Sequence, residues 1–147
     1  MRALLQRVTE ASVTVDGARI ASIGPGLLIF AGVFPNDRAV DAVKLADRCV
    51  DLRIFADAAK PMNRSVVDVG GEVMVVSQFT LAANTASGRR PSFDSAAPPQ
   101  QANALYEAFV ARIGERVGRV ATGRFGADMQ VALVNDGPVT FLLNVPE

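Results

Sequence analysis

Histidine is absent from this chain, and so is tryptophan. Without histidine, the Ser-His-Asp and Cys-His routes to an activated nucleophile are closed. The single cysteine, Cys49, allows no intrachain disulfide, and one Cys with no His cannot supply the usual ligands of a zinc catalytic site. Cys49 stands among Ala46, Val50 and Leu52, which reads as a buried, inert thiol rather than a nucleophile. Lysine is scarce: of the 15 basic residues only Lys44 and Lys60 are lysines, and the other 13 are arginines, whose planar fork matches phosphate and carboxylate. Net charge is also missing; a formal value of zero argues against a general polyanion binder while leaving room for a local basic patch. No apolar run approaches the roughly 20 residues of a membrane span, and Met1–Arg7 is too short and too interrupted for a signal peptide. The expectation is a cytoplasmic protein with no metal and no other cofactor. Any catalysis must come from carboxylates, from positioning and backbone donors, or from the substrate itself.

Hydrophobic residues, by contrast, make up 50% of the 147 positions, enough for one domain spanning residues 1–147 with its own core. A chain of this length buries about 70% of its unfolded surface. Residues 2–8 alternate as a strand does, and Ser12–Val15, Asp16-Gly17 and Arg19–Ala21 read as a hairpin, because Asp-Gly supplies the positive φ of a tight turn. Gly24-Pro25-Gly26 turns into Leu27–Val33, apolar on both sides and so a central strand. Asn36 or Asp37 can cap a helix running to Val50, with Val40, Val43, Ala46 and Val50 on one face. Leu52–Phe55 is expected as a short strand, and Val66–Val69, Gly70-Gly71 and Glu72–Met74 as a second hairpin. Pro98-Pro99 opens a second helix with Leu105, Phe109, Ile113 and Val117 on its buried face, and Gly118 stops it. Arg119–Phe125, Met129–Val134 and Val139–Leu143 read as strands, the last two joined by a turn at Asn135–Pro138.

Two stretches carry polar chemistry into apolar surroundings. Val73–Val76 is a buried run that ends in Ser77-Gln78-Phe79-Thr80, placing two hydroxyls and an amide where a core strand should have none. Such groups cost roughly 1–3 kcal/mol each when buried unpaired, so they read either as a strand end bonded to neighbouring backbone or as the floor of a site. Asn135-Asp136-Gly137-Pro138-Val139-Thr140 reads locally as a β-turn, although a Gly-Pro bond can also be cis.

Taken together, the two motifs resemble the D-aminoacyl-tRNA deacylase family. The likeness runs nearly end to end, through Gln6-Arg7-Val8, Gly24–Leu28, Leu52–Phe55, Met62-Asn63, Asp68–Gly71, Gly88–Phe93, Ala96–Pro99 and Phe125–Met129. It implies an α/β fold: mixed and antiparallel strands in curved, barrel-like sheets with two main helices. It implies a homodimeric hydrolase that cleaves the ester joining a D-amino acid to the 3′ end of tRNA, a proofreading step of translation quality control. Gly137 and Pro138, joined by a cis bond, would gate chirality from across the dimer, with Arg7 as their brace. Ser77, Gln78, Phe79 and Thr80 would form the catalytic floor, with Phe79 and Thr80, helped by Ser77 and Gln78, presenting backbone N–H groups to the ester carbonyl, and Met129 would line the pocket. An L-amino acid would drive its side chain into the gate, whereas glycine, including glycine mischarged on tRNA(Ala), would not be excluded.

With no histidine and no N-terminal amine to take its proton, Thr80 is expected to position rather than attack. The ribose 2′-hydroxyl beside the ester is the better candidate to help activate water. Arg89 and Arg90 read either as solvated surface or as contacts to acceptor-stem phosphates. Two other readings fit less of the sequence: a noncatalytic tRNA-binding or proofreading-accessory module, and a related deacylase whose trans Gly-Pro would favour mischarged L-aminoacyl-tRNA.

Overall fold

The computed structural model describes residues 1–146. Six strands form one mixed sheet: β1 (Arg2–Val15), β2 (Ala18–Ile23), β3 (Gly26–Gly32), β4 (Glu72–Ser77), β5 (Val120–Thr122) and β6 (Gln130–Asn144). Their order is β2-β1-β3-β4-β5, with β6 on β1. The β1–β2 hairpin turns at Asp16 and Gly17, both with positive φ, as an Asp-Gly turn requires. The first half of β1 lies between β3 and β6, and its second half between β2 and β6. The sheet curls until β2 approaches β4 and β5, giving a nearly closed barrel. Helices α1 (Ala39–Asp51) and α3 (Pro99–Val117) pack against each other, and a one-turn helix α2 (Val66–Val69) precedes β4.

Alternation along the central strands divides the apolar residues between two cores. Leu27, Ile29, Val73 and Val75 face the helices, where Leu45, Cys49, Phe109 and Ile113 meet them. Leu28, Met74 and Val76 face the barrel interior with Val8, Val13 and Ile23. A strand buried on both faces reads as a continuous apolar run, which is the pattern of β3 and β4. β3 and β4 are parallel and start with an unusually close approach: a Cβ on Gly26 would lie 1.8 Å from the carbonyl oxygen of Glu72, so only glycine fits there. Cys49 is fully buried and its thiol is pushed above the ordinary range by desolvation, in keeping with an inert core residue.

Several local expectations are corrected. Val66–Val69 is helix, not strand: Ser65 accepts a hydrogen bond from the Asp68 N–H while the Asp68 carboxylate accepts from the Ser65 N–H, a capping box that outweighs the β-branched run. With that hairpin gone, β4 pairs in parallel with β3 and β5. Leu52–Phe55 forms a single bridge, Phe55 to Arg64, rather than a strand. The strand expected over Arg119–Phe125 is confined to Val120–Thr122. Helix α1 is capped at Arg38, whose N–H donates to Asp41, because Asp37 is engaged by the Met1 ammonium at 2.6 Å and the Phe34 N–H. Val40 and Val43 point outward and Ala42, Leu45, Ala46, Cys49 and Val50 inward, a rotation of the expected face. The strands expected on either side of Asn135–Pro138 are one strand, β6, and the motif is a bulge within it.

Candidate active site

Ser77 is the last residue of β4, paired with Ala31 of β3, and the Gln78 N–H then donates to the Ala31 carbonyl at 2.8 Å. The chain leaves the sheet in a single 3₁₀ turn, Phe79–Ala82, whose first bonds run from Leu81 N–H to Gln78 O (3.1 Å) and from Ala83 N–H to Thr80 O (3.1 Å). The N–H groups of Phe79 and Thr80 precede those bonds and have no acceptor among the described residues. Two adjacent main-chain donors are thus presented at the end of a strand. The Gln78 side-chain amide donates to the Thr80 hydroxyl, and no carboxylate or amine contacts that hydroxyl among the described residues. The turn is fixed from two sides. Arg2 donates to the Leu81 carbonyl at 2.9 Å, and Phe93 packs its ring 5.1 Å from the half-exposed ring of Phe79, accounting for an aromatic among the small and polar residues of the loop after Leu81.

The second motif owes its form to a register mismatch. Gln6 pairs with Thr140 and Val8 with Asn135, so two steps along β1 face five along β6, and Asp136–Val139 bulges out of the ladder opposite Arg7. Bonds across the gap close it. The Asn135 side-chain amide donates to the carbonyls of Arg7 (2.9 Å) and Val139 (3.0 Å). Arg7 Nε donates to the Asp136 carbonyl at 3.0 Å and lies 3.1 Å from its carboxylate. Arg7 Nη1 donates to the Ile54 carbonyl at 2.6 Å, and the guanidinium stands 6.0 Å from the Phe55 ring centre. The Gly137–Pro138 bond is cis, and both residues are exposed at the tip of the bulge.

Met129 belongs to the barrel side, with its sulfur over Gly123 and beside Val76: a Cβ on Gly123 would lie 2.7 Å from Met129 Sδ. Within one chain, therefore, Ser77–Thr80 and Met129 gather near the end of β4, while Arg7, Gly137 and Pro138 gather around the β1–β6 bulge. Asn135 stands in the second motif and Leu52–Phe55 in the wider likeness, but sequence reasoning gave neither Asn135 nor Ile54–Phe55 a role at the site. Their signals were an Asn two residues before Gly137 and an apolar tetrapeptide broken by Arg53. Two surface concavities, one around Met1, Phe34 and Asn144 and one between β2 and β6 at Glu10, Arg19 and Val134, contain none of the predicted site residues. Among the described residues no group of three or more Cys, Asp or Glu is placed to hold a metal ion.

Residues 4–144 match the family described as D-Tyr-tRNA(Tyr) deacylase. A D-aminoacyl-tRNA deacylase of Dinoroseobacter shibae is 59% identical over 140 residues, covering 95% of this chain and 97% of that protein. One from Ruegeria pomeroyi is 54% identical over 145 residues, covering 99% and 100%. Among solved structures, one described as a c-Myc DNA unwinding element binding protein superposes with a TM-score of 0.94 at 38% identity, covering 100% of both chains. A probable eukaryotic D-amino acid tRNA deacylase superposes at 0.84 with 16% identity over 97% of each, a likeness of fold.

Proposed function

The chain belongs to the D-Tyr-tRNA(Tyr) deacylase family and is accordingly a hydrolase acting on the ester bond of aminoacyl-tRNA; from that premise we propose how its two motifs divide the work. The Phe79 and Thr80 N–H groups receive the ester carbonyl, with Ser77 and Gln78 completing the floor. As water adds to the carbonyl carbon, negative charge collects on the oxygen those donors face. The bond to the ribose 3′-oxygen then breaks, and that oxygen leaves with a proton. A donor of this kind contributes roughly 2.7–4 kcal/mol to the transition state where it has been measured by removal. The ribose 2′-hydroxyl lies beside the ester and supplies a proton relay that the protein, without histidine, does not. An aminoacyl ester is reactive enough for positioning and oxyanion stabilisation to suffice. Met129 lines the pocket beside the floor.

Gly137 and Pro138 form the chirality gate. Their carbonyl oxygens accept from the substrate's α-amino group, and their backbone fills the space an L side chain would need. D-residues pass whatever their side chain, and glycine, also when mischarged on tRNA(Ala), passes because it has none. The gate comes from a second copy of the chain. Along the sheet, Arg7 pairs with Leu27 and Leu27 with Val73, so the bulge lies three strand spacings from β4 and four residues back from Ser77. That path is on the order of 20 Å, too long for one chain to close both motifs on the same ester. A homodimer in which each bulge enters the partner's pocket removes the difficulty. Exposed Leu142 and Val134 on β6 are consistent with burial against such a partner. Arg89 and Arg90, both exposed, contact phosphates near the 3′ end of the tRNA in the cytoplasm.

The observation that carries the reaction is the pair of N–H groups at Phe79 and Thr80 left without an acceptor among the described residues. The test is release of amino acid from D-Tyr-tRNA, L-Tyr-tRNA and glycyl-tRNA by purified protein. Cleavage of the D- and glycyl esters with the L-ester spared is expected. Equal cleavage of D- and L-esters would remove the gate from Gly137–Pro138, and no cleavage of any ester by a folded dimer would remove the catalytic reading altogether.

A further inference from the structure

Arg7 is itself held from behind. Its Nη1 donates to the carbonyl of Ile54, its guanidinium faces the ring of Phe55, and its side chain is only 16% exposed. Ile54 and Phe55 belong to no strand or helix, so their position depends on the loop that follows. That loop is pinned at every turn. Phe55 exchanges backbone bonds with Arg64 at 2.9 Å in both directions, and its carbonyl also accepts from the Asn63 N–H at 2.9 Å. Arg53 reaches across to Asn63, Nε donating to its carbonyl at 2.6 Å and Nη2 to its side-chain oxygen. The Asn63 amide donates to Asp57, whose carboxylate also accepts from the Ala59 and Lys60 N–H groups at 2.8 Å. These bonds hold the Asp57 carboxyl below the usual range, the Asn63 bond foremost, so it stays ionised and in place at neutral pH.

A relay of rigid contacts therefore runs from Asp57 and Asn63 through Phe55 and Arg7 to Asp136. The far end is an exposed bulge whose shape depends on side-chain bonds, because the ladder is interrupted there. We propose that Phe55, carried by the Arg53–Arg64 loop, is a positioning residue for stereochemical discrimination. It sets the Arg7 guanidinium, which sets the Asp136 carbonyl and with it the Gly137–Pro138 pair. The inference rests on the gate reading given under Proposed function. It adds a specificity determinant that touches neither substrate nor the gate. A cation facing an aromatic ring is the part of the relay that chemistry can remove with least disturbance, since leucine fills similar space without offering a π-face.

The experiment measures kcat/KM for D-Tyr-tRNA and L-Tyr-tRNA on the full-length dimer for Phe55→Leu, Phe55→Tyr, Asn63→Ala, Arg7→Lys and the Phe55→Leu/Arg7→Lys pair. Phe55→Leu is expected to lower the D-over-L ratio about tenfold, and Phe55→Tyr, which keeps the ring, to restore it. Because Phe55 acts through Arg7, the double variant should be no worse than Arg7→Lys alone. An unchanged ratio in Phe55→Leu, or losses that multiply in the double variant, overturns the proposal. Should Phe55→Leu fail to fold, Asn63→Ala at the half-buried far end of the relay decides by the same ratio. Failure of the wild-type protein to prefer the D-ester is a different result: it sinks the gate itself rather than the relay.

Discussion

Arg7 Nε lies 3.0 Å from the main-chain carbonyl of Asp136 and 3.1 Å from the same residue's carboxylate, so a single donor group addresses both backbone and side chain of one partner. The bond is returned from the residue before, for the Asn135 amide donates to the Arg7 carbonyl at 2.9 Å. Between them the two contacts replace the ladder bonds that three extra residues on β6 have displaced. A bulge without such replacements would leave main-chain groups to water and would fluctuate. With them it becomes a fixed projection, as the gate proposed for Gly137–Pro138 requires.

Gly137 leaves no room for a side chain in that projection. A Cβ there would stand 2.4 Å from Asn135 Oδ1 and 3.0 Å from the Val139 nitrogen. Asn135 can retreat only by giving up its bonds to Arg7 and Val139, each contributing about 1 kcal/mol. Gly137→Ala is therefore predicted to lose about 1–3 kcal/mol of stability and to lower the ratio of D- to L-ester cleavage. Urea unfolding and paired deacylation assays check the two arms; an alanine variant with wild-type stability and discrimination would remove Asn135 as the closing contact.

Thr80 is predicted to tolerate loss of its hydroxyl. Its side chain accepts from Gln78 and meets no general base among the described residues, whereas its N–H survives any substitution except proline. Thr80→Ala should retain kcat within about tenfold of wild type, the scale of one weakened positioning contact rather than a lost nucleophile. Single-turnover hydrolysis of D-Tyr-tRNA measures it. Abolition of turnover in a folded Thr80→Ala protein would restore the nucleophile reading.

The sequence signals succeeded where one local rule governed the outcome and failed where two competed. The Asp16-Gly17 hairpin, the double-sided burial of β3 and β4 and the Pro98–Gly118 limits of α3 follow from single rules, and the structure carries all three. Val66–Val69 has β-branched side chains and a Ser-x-x-Asp cap at once, and the cap prevailed over four residues. Asn135–Pro138 has the composition of a turn, yet β1 is long enough to pair on both sides of it, so the chain bulges instead of reversing. Both polar motifs were visible as residues. The path separating them along the sheet was not, because it depends on strand order and register, which pattern alone does not encode. The Phe55–Arg7 contact was hidden for a similar reason: the residues are joined through a loop whose folding is written in the scattered hydrogen bonds of Arg53, Asp57 and Asn63.

Remote from both motifs, Asp47 joins α1 to α3, accepting from Arg112 Nε at 2.8 Å and Arg116 Nη1 at 2.8 Å. The Arg112 bond, more than the Arg116 bond and against the opposing effect of desolvation, holds the Asp47 carboxyl below its usual value. A carboxylate depressed in the folded state stabilises that state fully above its unfolded pKa of about 4, and the contribution fades as pH falls through the lower folded value. Asp47→Asn is therefore predicted to cost about 1 kcal/mol at pH 7, with the gap to wild type narrowing below about pH 4. Asp41, Asp57 and Asp68 are depressed too and will drive acid unfolding in both proteins, so the comparison isolates Asp47 only as a difference. Urea unfolding of the pair at pH 7 and pH 3 reads that difference directly. A gap of the same size at both pH values would mean that packing between the helices, rather than the charge on Asp47, carries the contact, because packing does not titrate.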